Sequence, residues 1–294
     1  MRRAWIAAPI VACTILSTPA AAQKLRLVQF SSDSTSYHVG STLILGPTEA
    51  ILVDAQYHMS DARREADSIA RLGTHLKAIF ITHPDEDHYL GAAAFVERFP
   101  GTPVYMTSRG IWEFRRTARS FLDDLKKNQP AEAPDSLVRP KVLPDTLLTV
   151  DGERVEIVPD LQGDVLAVCN SVVWIPSLRA VLAGDIVFNR VHPWLAASDA
   201  RARAQWHQAI KRIADLHPRT VIAAHKSSLD APDTPDVLTA MDQYLTDFDA
   251  ALKTAPSPDS VIAVVKRKHP DYAVPLLLQA SARTAWFVWR APPQ

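Results

Sequence analysis

Cysteine is nearly missing from this chain. Cys13 and Cys169 are the only two among 294 residues, so a framework of several disulfides is excluded. An excess of either charge is missing too: 32 lysines and arginines stand against 32 aspartates and glutamates. A balanced chain gives no electrostatic reason to expect nucleic acid or an anionic membrane as partner. The apolar stretch over residues 4–16 is too short to span a bilayer, so no membrane span is expected. No internal repeat of fixed period and no low-complexity tract occurs, which argues against solenoids and arrays.

What is present is a globular composition. Hydrophobic residues make up 47% and charged residues 22%, which argues against disorder. The length allows one large domain or two small ones, and a core that needs no staples. The N-terminus differs from the rest. Arg2 and Arg3 precede the apolar stretch, and small residues lead to Ala20-Ala21-Ala22-Gln23, an A-x-A cleavage pattern. Residues 1–22 therefore read as a signal peptide, which predicts an exported, periplasmic or secreted protein with a single domain over residues 23–294. Ile10-Val11-Ala12-Cys13 resembles a lipobox, the rival route of anchoring through Cys13, but the apolar run before it is short. Cleavage after Ala22 leaves Cys169 as the one cysteine, and an intramolecular disulfide is then impossible. Stability must come from packing and from any bound metal.

Apolar runs and turn signals predict strands at residues 25–30, 42–45, 50–53 and 78–81. A helix capped by Ser60 or Asp61 places Ala62, Ala66, Ile69 and Ala70 on one face and stops at Gly73. Helices are expected over residues 91–99 and about 111–127, with a strand at 103–106 between them. The proline-rich segment 130–144 reads as a surface loop or lid. Strands at 147–150, 155–158, 172–175 and 180–183 precede a helix over about 201–216, with Trp206, Ala209, Ile210, Ile213 and Ala214 on one face. A buried strand at 220–224 follows, and the chain reads as helical from Thr234 onward. This order fits the α/β class: two sheets packed together with helices outside, a four-layer αββα sandwich. Pattern alone leaves other α/β and α+β folds open.

The chemistry concentrates in Thr82-His83-Pro84-Asp85-Glu86-Asp87-His88, which begins where a buried strand ends, a place that ligand sites in α/β proteins favour. So many acids in a tight turn repel one another unless protons or a cation intervene. A divalent metal satisfies them; histidine with carboxylate suits zinc, and oxygen-rich sites also take manganese or iron. The bland alternative is a solvated acidic loop.

The segment resembles the H-x-H-x-D-H motif of the metallo-β-lactamase superfamily, written here His83-x-Asp85-x-Asp87-His88 with Gly91 close behind. Asp85 stands where a second histidine is usual, which makes that part of the site harder and richer in oxygen. Ile51-Leu52-Val53-Asp54 resembles the strand-ending aspartate before the motif, Leu182-Ala183-Gly184-Asp185 the Gly-Asp that supplies a bridging carboxylate, and Val221-Ile222-Ala223-Ala224-His225 the strand that delivers the last histidine. The middle histidine of the family is missing, since none occurs between His88 and His192. Asp164, after Gly163, is the nearest acceptable substitute, its alternative being an ordinary turn aspartate. The resemblance then implies one divalent ion at His83, Asp85 and Asp164, a second at Asp87, His88 and His225, and Asp185 between them. It also implies a dinuclear hydrolase that activates water for attack on a small carbonyl substrate (an ester, lactone, thioester or β-lactam), with Asp87 orienting the water and carrying a proton. A phosphodiesterase of the same superfamily, or a non-catalytic binding protein of the same fold, remains open.

Tyr89, His192 and Trp194 are candidates for substrate contact, each set against ordinary packing. His58 could point to the site, but packing is favoured. His207 reads as solvated, His217 and His269 as turn residues, Cys169 as a small buried hydrophobe, and Lys266-Arg267-Lys268 as a solvated face.

Overall fold

A computed structural model describes residues 25–289. The expected signal peptide, with Cys13, lies outside the described residues. Strands β1 (Arg26–Ser31), β2 (Gly40–Leu45) and β3 (Glu49–Val53) form an antiparallel meander. Helix α1 (Met59–Ala70) crosses over to β4 (His75–Phe80), which lies parallel to β3. Helices α2 (Glu86–Tyr89) and α3 (Ala92–Arg98) lead to β5 (Val104–Met106), and α4 (Ser108–Asn128) leads to the edge strand β6 (Lys141–Val142). These six strands make one mixed sheet in sequence order.

The second half opens with β7 (Leu147–Val150), β8 (Glu153–Leu161), β9 (Asn170–Ile175) and β10 (Ala180–Leu182), followed by the short β11 (Phe188–Asn189) and α5 (Ala200–Ala214). Then come β12 (Thr220–Ile222), β13 (His225–Lys226), α6 (Asp236–Thr254), α7 (Pro258–Lys268) and α8 (Pro275–Thr284). The second sheet runs β12-β10-β9-β8-β7, and β11 pairs with β13 separately.

Alternation along the strands produces the layers, because successive side chains face opposite sides of a sheet. Ile44, Ile51, Val53, Ala78 and Phe80 meet Val155, Ile157, Val173, Ile175 and Leu182 between the two sheets. Their neighbours Leu43, Leu52, Ile79 and Ile81 face outward onto Ala62, Ala66 and Ile69 of α1, Phe95 of α3, and Phe114 and Leu122 of α4. On the other side Val172, Val181 and Val221 pack on Trp206, Ile210, Tyr244, Phe248 and Leu278 of the second helical layer. The described residues thus form the expected four-layer αββα sandwich of the α/β class.

Departures from the expected boundaries have local causes. β12 ends two residues early because Ala224 leaves the sheet: its carbonyl accepts from the N–H of Gly40 at 2.7 Å, and its own N–H turns to the carbonyl of Gly184. Helix α1 begins at Met59, before Ser60 or Asp61, with His58 at its cap position. The 130–144 segment supplies the missing cap from outside. Glu132 accepts the Met59 N–H through its carbonyl at 3.1 Å and the Ser60 N–H through its carboxylate at 3.0 Å, where a carboxylate also favours the positive end of the helix. The segment is therefore seated against α1 and α4, and its end pairs with β5 as β6. On α5, Ala214 is exposed and the other four expected residues are buried.

One buried charge-bearing residue has no precedent in the apolar periodicity. Glu65 sits on the buried face of α1, where one carboxyl oxygen accepts from Ser41 Oγ at 2.5 Å and the other from Gln56 Nε2 at 2.9 Å. Burial pushes its pKa from the ordinary 4.5 to about 8, against the lowering effect of those two donors. The folded protein therefore holds a proton on Glu65 that the unfolded chain releases above about pH 4.5. Stability from this group is fully present below that value and declines as pH rises towards 8. Glu65→Gln should flatten the stability of the protein between pH 5 and 8, measured by urea denaturation, while the unsubstituted chain loses stability across the same window.

Candidate metal centre

The functional side chains gather at one edge of the sandwich, where carboxyl ends of strands from both sheets converge. Asp54 follows β3, Thr82 and His83 follow β4, Asp164 follows β8, Asp185 follows β10, and His225 opens β13. Backbone turns at this edge are held under constraint. Asp54 and Gln56 have φ of 62° and 66°, the left-handed region that costs a side-chain-bearing residue about 1 kcal/mol. The Ala55 N–H donates to the His88 carbonyl at 2.8 Å, and the Gly91 N–H donates to the Gln56 carbonyl at 2.9 Å. Any Cβ at Gly91 would collide with the Ala55 carbonyl and lie 2.8 Å from the Ala62 side chain, so the glycine behind the motif is required by close approach.

Thr82 joins the two sheets at this point. Its N–H donates to Asp54 Oδ1 at 2.8 Å, and its hydroxyl lies 3.0 Å from Asp54 Oδ2. Its carbonyl accepts from the Ser171 hydroxyl at 2.6 Å and the Ser171 N–H at 3.1 Å, at the start of β9. Gly184, with φ of 50°, abuts the Thr82 hydroxyl so closely that a Cβ would stand 3.0 Å from it. Trp206 of α5, wholly buried, donates from its indole N–H to the Ile186 carbonyl at 2.8 Å and fixes the turn that carries Asp185.

Two of the three histidines are hydrogen-bonded through Nδ1, and the third, His88, faces a carboxylate there without a hydrogen bond. His83 Nδ1 is 3.0 Å from the Thr82 hydroxyl, whose proton is committed to Asp54, so the ring donates. His225 Nδ1 is 2.8 Å from the Tyr37 carbonyl, which only accepts. His88 Nδ1 is 3.0 Å from Asp54 Oδ2. In every case Nε2 is left to face the carboxylates. His83 Nε2 lies 3.5 Å from Asp164 Oδ1, and His88 Nε2 lies 3.6 Å from Asp87 Oδ1 and 3.2 Å from Asp185 Oδ1. His225 Nε2 lies 3.3 Å from Asp87 Oδ2 and 3.2 Å from Asp185 Oδ2.

Electrostatics follow from this crowding. Burial disfavours charge on His88 and His225, but Asp185 and Asp87 beside both, with Asp54 beside His88, reverse the effect. The His88 pKa is raised well above its ordinary value, and that of His225 is raised to about 10. Asp185 goes the other way: burial would raise it, and the charges of His225 and His88 hold it well below the usual carboxylate range. Asp87 is lowered for the same reasons. Asp85 has no such partner. Burial first, then Glu86, Asp164 and Asp87, push it well above the ordinary value. Protons thus balance the charge of this cluster, and a cation binding there has to displace them.

The residues present fit a divalent ion. His83 Nε2, His88 Nε2, Asp164 Oδ2 and Asp185 Oδ1 are buried without a hydrogen-bond partner, which is costly for polar groups that nothing else satisfies. Three sets of ligand atoms lie mutually within 4.8 Å: His83, Asp85 and Asp164; Asp87, His88 and His225; and His83, His88 and Asp185. All seven residues read from the sequence as metal ligands are therefore brought together. Asp164, the residue read in place of a histidine, is wholly buried against His83 and within 3.4 Å of Asn170 Nδ2.

The residues read for substrate contact fare differently. Tyr89 turns into the core, 2% exposed and edge-on to Phe114 at 5.0 Å, so it does not line an open pocket. His192 is 1% exposed; its Nδ1 meets the Tyr244 hydroxyl at 2.7 Å, and burial, with His269 and Lys266 nearby, lowers its pKa to about 4. Trp194 is half-buried against the second helical layer. His269 is buried on Asp247 rather than lying in an open turn, and His207 pairs with Asp242. His58 sits at the cap position of α1 with Nδ1 2.8 Å from the Ser36 hydroxyl, and Cys169 is buried as expected. The sequence reading placed Thr82 and Glu86 in the motif without a role of their own and overlooked the stacked pair Tyr37 and Tyr57, whose rings lie 6.0 Å apart and whose pKa values are raised by burial and by the nearby acids. A hydroxyl or ring at a strand end carries no periodic signal, so only the three-dimensional arrangement shows them.

Two mixed sheets between helical layers, with imidazoles and carboxylates converging at one edge, define a sandwich protein with a candidate metal centre. A family model described as the metallo-beta-lactamase superfamily matches residues 37–225, and the chain belongs to that superfamily. Among solved structures it is similar to a metallo-beta-lactamase family protein of Thermus thermophilus, at 19% identity over 90% of this chain and 94% of that one, with a TM-score of 0.60. It is also similar to a beta-lactamase domain protein of Burkholderia ambifaria, at 14% identity over 91% and 88%, with a TM-score of 0.65. A metallo-beta-lactamase from Pontibacter korlensis covers 78% of this chain and 98% of its own at 19% identity, with a TM-score of 0.54. No curated protein sequence matches. Identities this low speak for the fold alone.

Asp54 accepts from Thr82 and lies 3.0 Å from His88 Nδ1 without belonging to any of the three ligand sets. Asp54→Ala should leave the secondary structure intact by circular dichroism and weaken zinc binding about 10–100-fold, read by competition with a chromophoric chelator.

Proposed function

We propose that this chain is a dinuclear metal-dependent hydrolase acting on a small carbonyl substrate: an ester, lactone, thioester or β-lactam. The observation that supports it most is the common orientation of His83, His88 and His225, the first and last hydrogen-bonded at Nδ1 and all three presenting Nε2 to buried carboxylates. His83, Asp85 and Asp164 would hold one divalent ion, Asp87, His88 and His225 a second, and Asp185, with one oxygen towards His88 and the other towards His225, would stand between them. Zinc fits the three imidazoles; the carboxylate count also admits manganese or iron. When bound, such ions supply Lewis-acid activation of water and stabilise the oxyanion that develops on the substrate.

The protein's own groups do the rest. Asp87 is buried beside His88 and His225 and held below the usual carboxylate range, so it stays an acceptor at neutral pH. It orients the attacking water and carries its proton to the leaving group. Thr82 holds the His83 ring through Nδ1, and Asp54 lies 3.0 Å from Nδ1 of His88. The balanced charge of the chain supports a small neutral or weakly charged substrate over nucleic acid. The leader over residues 1–22 supports export to the periplasm or exterior; no helix among the described residues is long and apolar enough to cross a membrane.

Asp85 and Asp164, in place of the family's histidines, favour a second reading, a binding protein that keeps the fold without turnover. One assay separates the two. Protein stripped with a chelator and reloaded with zinc or manganese is offered a panel of esters, lactones, thioesters, β-lactams and an aryl phosphodiester. Metal-dependent turnover of a carbonyl substrate, falling about 100-fold or more in Asp87→Asn, is the expected result. Turnover of the phosphodiester alone moves the substrate class, and metal-loaded protein that turns over nothing supports the binding protein.

A further inference from the structure

A cleft of about 770 Å³ lies between α4 and the 130–140 segment, within the size range of small-molecule sites. Its inner surface is apolar, formed by Phe114, Ala118 and Leu122 of α4 with Leu137 of the segment opposite. Its lip is basic: Arg115, Arg119 and Lys126 come from the helix and Arg139 from the segment, against the single carboxylate of Asp135. Two of these cations are already engaged. Arg119 pairs with Asp123 at 2.9 Å, and Lys126 Nζ donates to the Asp135 carbonyl at 2.6 Å. Arg115 and Arg139 are exposed and, among the described residues, make no ion pair or hydrogen bond. Arg115 on the helix and Arg139 on the segment thus line the cleft from its two walls, together with an apolar surface.

The cleft is built, because the segment that forms its wall is pinned: Glu132 caps α1 and residues 141–142 pair with β5. Guanidinium forks match planar or tetrahedral oxyanions through paired hydrogen bonds. We propose that this cleft binds a small amphiphilic oxyanion, a carboxylate or phosphate head group on an alkyl body, with the head group between Arg115 and Arg139 and the body along Phe114 and Leu137. None of the seven candidate metal ligands lines this cleft, and its Phe114 meets Tyr89, the residue after His88.

Calorimetric titration of the full chain with decanoate, decyl phosphate, inorganic phosphate and the neutral decyl maltoside tests this. Saturable one-to-one binding of decanoate or decyl phosphate is expected, with inorganic phosphate and decyl maltoside at least about tenfold weaker. Arg115→Gln and Arg139→Gln should each weaken the preferred amphiphile by about tenfold or more without changing the circular dichroism spectrum, since both side chains are exposed. A preference for decanoate or for decyl phosphate identifies the head group. Binding should persist in chelator-treated protein and in His225→Ala. Binding that is lost in His225→Ala but untouched by the arginine substitutions would mean the oxyanion sits at the metal centre and would overturn the proposal. Equal binding of the neutral detergent, or no saturable binding, overturns it as well.

Discussion

Everything at the candidate metal centre answers to one constraint: buried carboxylates and imidazoles are crowded within a few ångströms of one another, and the folded chain must hold them there. Asp87 and Asp185 share His88 and His225 at 3.2–3.6 Å, while Asp85 and Asp164 crowd His83. Left to themselves such groups balance their charge with protons, which is why His88 and His225 are driven up and Asp85 is driven up with them. A pair of divalent ions would do the same work without leaving Nε2 of His83 and His88, Asp164 Oδ2 and Asp185 Oδ1 unpartnered.

The surrounding fold is arranged to keep that crowding from relaxing. Thr82 ties the end of β4 to Asp54 in its own sheet and to Ser171 in the other. Asp54 accepts from Thr82 and faces His88 from a left-handed backbone turn. That turn is in turn braced by Gly91, where no Cβ fits, and by Gln56, which donates to Glu65. The route from the apolar alternation of β3 and β4 to the orientation of three imidazoles therefore runs through a few polar contacts at the strand ends. Loosening any of them should be felt as metal affinity before it is felt as stability.

How much of this the sequence disclosed depends on the kind of signal. Periodicity located the layers well: Ile51, Val53 and Phe80 alternate with Leu52 and Ile79 as a strand buried on both faces demands. Residue chemistry with chain order gathered His83, Asp85, Asp87, His88, Asp164, Asp185 and His225, because a resemblance in spacing carries the spatial arrangement with it. Contact at a distance was not legible. Glu65 sits where the pattern of α1 called for an apolar residue, since its partners Ser41 and Gln56 come from elsewhere in the chain. Tyr89 follows the His83–His88 motif and His192 follows Gly184-Asp185 in sequence, yet they are turned into packing against Phe114 and Tyr244. The proline-rich segment is a fixed wall, because Glu132 completes a helix that lacks its own cap.

The central claim is that Asp85 and Asp164 act as metal ligands where the superfamily more often has histidine. The most direct measurement is the metal content of protein purified without added metal or chelator, by elemental mass spectrometry, for the unsubstituted chain, Asp85→Ala and Asp164→Ala. About two ions per chain, falling towards one in each variant, is the expected result for a shared carboxylate-rich centre. A metal content that neither substitution changes would contradict it and confine the ions to Asp87, His88, His225 and Asp185.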